Sequence, residues 1–188
     1  HTRFLDAEQG LSLVWSVFMK KVLFICLGNI CRSPMAEFIM RDLVKKAGVE
    51  EQVECASAAT STEEIIYDMG NPMYPAARAE LKQRGIPCGE KRAVLLKRTD
   101  YDAYDYLICM DRRNLRDAKR ILGGDPDKKI ILLRSFTGEG NANAEIADPW
   151  YTGDFVSCAD QIAEGCEELL KALGKEGVRA IAGGNVAC

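Results

Sequence analysis

The sequence predicts one α/β domain in which a parallel sheet is covered on both faces by helices. Three observations predict it. Short apolar, β-rich runs alternate with amphipathic stretches of helical period along most of the chain. The 188 residues suffice for one well-cored domain and are too few for two comfortable ones. No internal repeat or low-complexity tract interrupts the alternation. Strands alternating with helices imply right-handed crossovers and hence a parallel sheet. In such folds ligands sit at the carboxyl ends of the strands, so a site is expected just after the first one.

The first strand is Lys21 to Cys26, a short apolar run of the kind a buried parallel strand requires. A helix opens at Ser33-Pro34, with Ser33 as a cap and Pro34 in the first turn. Met35, Phe38, Ile39, Leu43 and Ala47 supply its apolar face, and Gly48 ends it. Gln52 to Ser57 reads as a second strand, and Ala76 to Arg84 as a helix closing at Gly85. Tyr104 to Met110 is the third strand, followed by a helix from about Arg112 to Leu122 that stops at Gly123-Gly124. Lys129 to Leu133 is the fourth strand, and Cys158 to Leu173 the last amphipathic helix.

Composition narrows the function. A mixed charge with a net of -3 argues against a large nucleic-acid-binding surface. Eight cysteines stand at 26, 31, 55, 88, 109, 158, 166 and 188, several inside apolar runs where a free thiol behaves as a small hydrophobe. The expectation is a reduced, cytoplasmic protein rather than a disulfide scaffold. No CxxC pair or Cys/His cluster suggests a metal, and no cofactor is expected. The single histidine is His1, which removes Cys-His and Ser-His-Asp catalysis. Residues 1–18 read as a vector-derived or disordered N-terminal extension, 19–173 as the domain, and 174–188 as a flexible C-terminal tail. The apolar run Leu11 to Phe18 is too short to span a membrane.

The loop after the first strand reads Cys26-Leu27-Gly28-Asn29-Ile30-Cys31-Arg32-Ser33. A turn between a strand and a helix N-terminus points several backbone N–H groups into one concavity, which suits a phosphate. Gly28 and Asn29 are residue types that tolerate positive φ, so the loop can curl around an anion. A cysteine at the lip of that cradle feels the helix dipole and the convergent donors, which favour its thiolate. Arg32 offers a planar fork to two phosphate oxygens, and Ser33 a hydroxyl to the sulfur. The bland alternative is a buried cysteine ending a strand, followed by a capped helix with a surface arginine.

The run from Val22 to Glu37 resembles the signature of the low-molecular-weight protein tyrosine phosphatase family. Ser57-Ala58-Ala59-Thr60-Ser61, Gly70-Asn71-Pro72, Gly85-Ile86, Cys109-Met110-Asp111 with Asn114-Leu115, and Asp148-Pro149-Trp150-Tyr151 follow in the family's order. The resemblance implies a three-layer sandwich with a four-stranded parallel sheet, flavodoxin-like, and a two-step hydrolysis through a cysteinyl phosphate. It implies Cys26 as nucleophile, Arg32 as phosphate clamp and Asp148 as general acid, with Leu27 to Ser33 binding phosphate and Asn29, Ser33 and Ser57 supporting the loop. Ile30, Trp150 and Tyr151 then wall the pocket. Cys31 is either a packed thiol or, as the family suggests, the partner of Cys26 in a protective disulfide. Thr62 to Met69 is longer than in some relatives and resembles the segment that sets substrate preference.

Asp148 has a chemical rationale of its own. A phenol has a pKa of about 10, so phosphotyrosine needs a proton donor for its leaving oxygen. Proline restricts Asp148 to extended geometry, and the following aromatics can flank a phenyl ring. A structural Asp-Pro turn is the plain alternative. The expected partner is a phosphotyrosine-containing protein, a tyrosine kinase among the candidates, with no nucleic acid and no membrane. Rival readings are a phosphoarginine phosphatase, to which the apolar Ile30 is ill suited, an arsenate reductase, and a silent phosphate-binding module. The reductase needs a thiol relay, for which Cys88 is alone and Cys109 buried in a strand.

Overall fold

The computed structural model describes residues 19–138 and 144–179. The expectations for residues 1–18, and for the tail from residue 180 onward, lie outside the described residues.

Four parallel strands form the central sheet: β1 (Lys20–Cys26), β2 (Val53–Ala59), β5 (Tyr106–Cys109) and β6 (Ile130–Leu132). Their order is β2-β1-β5-β6, so the chain leaves β1 toward one edge and later returns to the other side of it. Such a reversal opens a crevice beyond the carboxyl ends of β1 and β5. The fold is α/β and flavodoxin-like, as expected.

Alternate residues of β1 face opposite layers. Val22, Phe24 and Cys26 join a core with the buried faces of α1 (Arg32–Lys46) and α6 (Phe155–Lys175), notably Met35, Ile39, Met40, Ile162 and Leu169. Leu23 and Ile25 join a second core with Tyr101 of α3 (Asp100–Ala103) and with Ala118 and Leu122 of α4 (Arg112–Leu122). Helix α2 (Pro75–Gln83) packs Ala77 and Leu81 into the first core.

Boundaries differ where tertiary packing overrides pattern. Strand β2 runs two residues past Ser57, because Ala58 and Ala59 keep register with Ile25 and Cys26. Strand β6 ends at Leu132, and Leu133–Thr137 turns into a 3-10 helix. The last helix starts at Phe155, capped by Asp154, whose Oδ1 accepts from the Ser157 amide at 2.9 Å. It continues to Lys175. Beyond it, Glu176 pairs with Lys20 at 2.8 Å, Val178 is buried, and the Arg179 amide donates to Gln52, so packing extends past residue 173. No pattern announced the hairpin of β3 (Ile65–Ile66) and β4 (Met69–Gly70) or the one-turn helices α3 and α5 (Pro149–Thr152).

Candidate active site

The floor of the site is the segment from Cys26 to Arg32. Cys26 ends β1 and α1 begins at Arg32, so the intervening loop turns directly into a helix N-terminus. That helix has Cys31 at its N-cap and no side-chain cap. Ser33, expected to cap the helix, does not. It lies inside the first turn, and its hydroxyl sits 3.0 Å from Cys26 Sγ. The first-turn amides are thereby left for a ligand, which suits an anion.

Asn29 is in the left-handed region at φ 57°, as the loop's curl requires, and its amide donates to Cys26 Sγ at 3.3 Å. Gly28 has a different reason to be glycine. A Cβ there would lie 2.9 Å from Glu64 Cγ, so the loop backbone and the 60s segment meet where a side chain would intrude.

Beneath the loop runs a buried polar chain. The Asn29 side-chain amide donates to Ser33 Oγ and to Ser57 Oγ, both at 2.8 Å, while its Oδ1 accepts from the Val94 amide at 2.9 Å. The Ser57 hydroxyl donates to Glu37 Oε2 at 2.5 Å. Glu37 is 3 % exposed and is matched by Lys91 at 3.2 Å and Arg41 at 2.7 Å. Every side-chain polar atom of Asn29 and Ser57 thus has a partner, which is what a rigid buried network demands.

Arg32 is 3 % exposed. Its guanidinium donates to Asp111 Oδ2 and Asp148 Oδ2, each at 2.6 Å, and to the Ile146 carbonyl at 3.0 Å. Burial opposes the charge. The Cys26 sulfur and the two carboxylates outweigh that cost, so the pKa of Arg32 stands above its ordinary value. Asp111 also caps α4, accepting from the Asn114 amide at 2.7 Å, and so is fixed in place.

Asp148 comes from the far side. The Ile146 amide donates to the Met110 carbonyl at 2.9 Å, which pins this segment to the end of β5. The extended Asp148 then caps α5, its Oδ1 accepting from the Trp150 amide at 3.1 Å, while Oδ2 reaches Arg32. The structural and cleft-facing readings of Asp-Pro are therefore both true of one carboxylate.

These parts enclose a cleft of about 470 Å³ lined by Cys26, Leu27, Gly28, Ile30, Cys31, Arg32, Glu63, Glu64, Asp148, Trp150 and Tyr151. The structure brings the expected cysteine, arginine, aspartate and wall residues to one place and sets Asn29, Ser33 and Ser57 under them. Trp150 is 55 % exposed and rests edge-on against Tyr74, ring centroids 5.0 Å apart, and Tyr74 stacks on Phe155. Sequence reasoning assigned no role to Asp111, Glu37 or Lys91, whereas Glu63 and Glu64 fall in the 62–69 segment that the resemblance ties to substrate preference. Asp111 carried a signal, since it follows a strand at the carboxyl edge of the sheet. It also gave no role to a third thiol: Cys158 on α6 is buried, close enough to act on Cys31 electrostatically and to be acted on by Cys26. Burial pushes the Cys31 thiol far up and Cys158 to about 12, although Arg32 pulls both back.

The low molecular weight phosphotyrosine protein phosphatase model matches residues 21–179. The chain belongs to that family. It is 37 % identical over 158 residues to the low molecular weight protein-tyrosine-phosphatase YfkJ of Bacillus subtilis, covering 84 % of this chain and 98 % of that one. It is 37 % identical over 156 residues to the human low molecular weight phosphotyrosine protein phosphatase, covering 81 % and 94 %. The crystal structure of YfkJ superposes with a TM-score of 0.76 over 85 % of this chain and 97 % of that one. That of the Streptococcus pyogenes enzyme superposes at 0.72 over 86 % and 100 %, with 35 % identity.

Proposed function

We propose that this protein hydrolyses phosphotyrosine in proteins through a cysteinyl-phosphate intermediate. The observation that carries it is the convergence of Cys26 Sγ, the open amides of α1, Arg32 and Asp148 on one cleft. The Cys26 thiolate attacks phosphorus in line. The bond from phosphorus to the phenolic oxygen breaks as Asp148 gives that oxygen its proton. Arg32 and the loop amides hold the three equatorial oxygens. Water then attacks the phosphocysteine, passing a proton to Asp148, and the sulfur leaves with the Ser33 hydroxyl 3.0 Å away to stabilise it. Asp148 and Arg32 are paired at 2.6 Å. An incoming phosphate takes the place of the Asp148 carboxylate at Arg32, and Asp148, taking up a proton from solvent, becomes the acid that faces the leaving oxygen.

Asn29 and Ser57 support the loop, Ile30, Trp150 and Tyr151 flank the ring, and Asp111 holds the guanidinium while the ligand exchanges. Cys31 is the redox partner of Cys26, to be checked by mapping a peroxide-induced Cys26–Cys31 disulfide. A tyrosine kinase is among the candidate substrates, and the need for a free thiol supports a cytoplasmic location. Among the described residues no helix is long and apolar enough to cross a membrane. The deciding assay compares phosphotyrosine, phosphoserine and phosphoarginine peptides of one sequence. Turnover is expected on the first; turnover confined to either of the others overturns the reading.

A further inference from the structure

We propose that Glu63 and Glu64 make the enzyme selective for phosphotyrosines that have a lysine or arginine within two residues, and against acidic neighbours. The inference rests on the phosphotyrosine reading above and names the substrate class within it.

A phosphate site would ordinarily surround its dianion with positive charge. Here, among the described residues, the only cation lining the cleft is Arg32, buried at the floor and matched by two carboxylates. The rim carries Glu63 and Glu64 on one side and Asp148 on the other. Glu64 is held rather than swept by solvent. Its side chain lies against Gly28, its Oε2 accepts from Asn71 Nδ2 at 2.8 Å, and its carbonyl accepts from the Asn71 amide at 2.8 Å. Glu63 is exposed. Among the described residues neither carboxylate forms an ion pair, so neither charge is neutralised by a basic side chain.

The position of Glu64 makes the charge selective for neighbours. A second groove of about 930 Å³ leads away from the cleft and shares Ile30, Glu64 and Trp150 with it. Chain adjoining the phosphotyrosine therefore passes Glu64 on its way out. Arg78 lines the same groove and faces Glu90 at 3.8 Å. It is shared with no part of the cleft lining, so an acidic residue gains there only at a greater remove. Exposed charge pairs of this kind each change kcat/KM by roughly 1.4-fold to fivefold, several add up, and salt weakens them.

The test uses phosphotyrosine peptides identical except for Lys or Glu on both sides of the tyrosine, with p-nitrophenyl phosphate as a flank-free reference. The readout is the Lys-to-Glu ratio of kcat/KM within each enzyme, so any change in basal rate cancels. The full-length protein should show a ratio of roughly five to ten at low salt, falling toward one near 1 M salt. Replacing both carboxylates, Glu63→Gln with Glu64→Gln, should bring the ratio to within about twofold of one. A ratio near one in the unaltered enzyme, or a ratio that survives the double substitution, overturns the proposal while leaving phosphotyrosine hydrolysis intact. Loss of turnover on every tyrosine peptide, with phosphoarginine accepted instead, overturns the reading beneath it.

Discussion

The floor and the rim of this cleft are built on opposite principles. On the floor, Asn29, Ser33 and Ser57 are 0–3 % exposed, and their hydrogen bonds run in an unbroken chain from Cys26 to Glu37. On the rim, Trp150 and Tyr151 are 55 and 75 % exposed, and in the hairpin that follows the rim residue Glu64, Met69 and Tyr67 are 60 and 98 % exposed. They stand on a one-turn helix and a hairpin of two-residue strands. A network with every partner fixed holds one geometry, which a reacting phosphorus requires. An exposed rim can vary its side chains without disturbing that geometry, which is why the proposed selection among substrates is assigned to it.

The comparison breaks first at the nucleophile. Cys26→Ser is expected to remove turnover to the detection limit while vanadate still binds, because the α1 amides and Arg32 remain. Near-normal activity would end the covalent mechanism.

Asp148→Asn comes next. An amide keeps the α5 cap but carries no proton to give, so turnover of phenyl phosphate should fall on the order of 10²–10⁴-fold. An activated nitrophenyl ester, whose phenolate leaves unaided, should lose much less. Equal losses on both esters, with a lowered Tm, would make Asp148 a structural residue only.

Ser57→Ala contrasts floor with rim through stability. It leaves the Asn29 amide and Glu37 each one partner short, at a cost of about 1–3 kcal/mol and roughly 2–10 °C in Tm. Tyr67→Ser, at the hairpin tip, should move Tm by less than about 2 °C. A large shift at Tyr67 would show that the rim is braced as the floor is.

What could be read from the sequence follows the same division. Strand, loop and helix from Lys21 onward were legible because their chemistry is consecutive, and Asp148 because Pro-Trp-Tyr follows it. Ser33 was misread as a cap because Ser-Pro so often opens a helix; here the hydroxyl serves the sulfur instead. Glu37 reads as a surface residue of an amphipathic helix, and only the fold brings Ser57 and Lys91 to it. Asp111 meets Arg32 across 79 residues, and no local pattern records that. The hairpin was hidden because its turn places Tyr67 and Asp68 at φ 49° and 63°, where Asn-Gly would have announced it.

The smallest effect sharpens the comparison most. Trp150 touches the cleft with its ring, while its backbone amide donates to Asp148. Trp150→Ala removes the ring and keeps the amide, so the acid's placement should survive. An aromatic contact of this kind contributes about 0.5–1.5 kcal/mol, equivalent to roughly a threefold to tenfold rise in KM for aryl phosphates. With the acid undisturbed, kcat should stay within about twofold. A fall in kcat with KM unchanged would mean that the ring positions Asp148, and the rim would then belong to the chemistry rather than to selection.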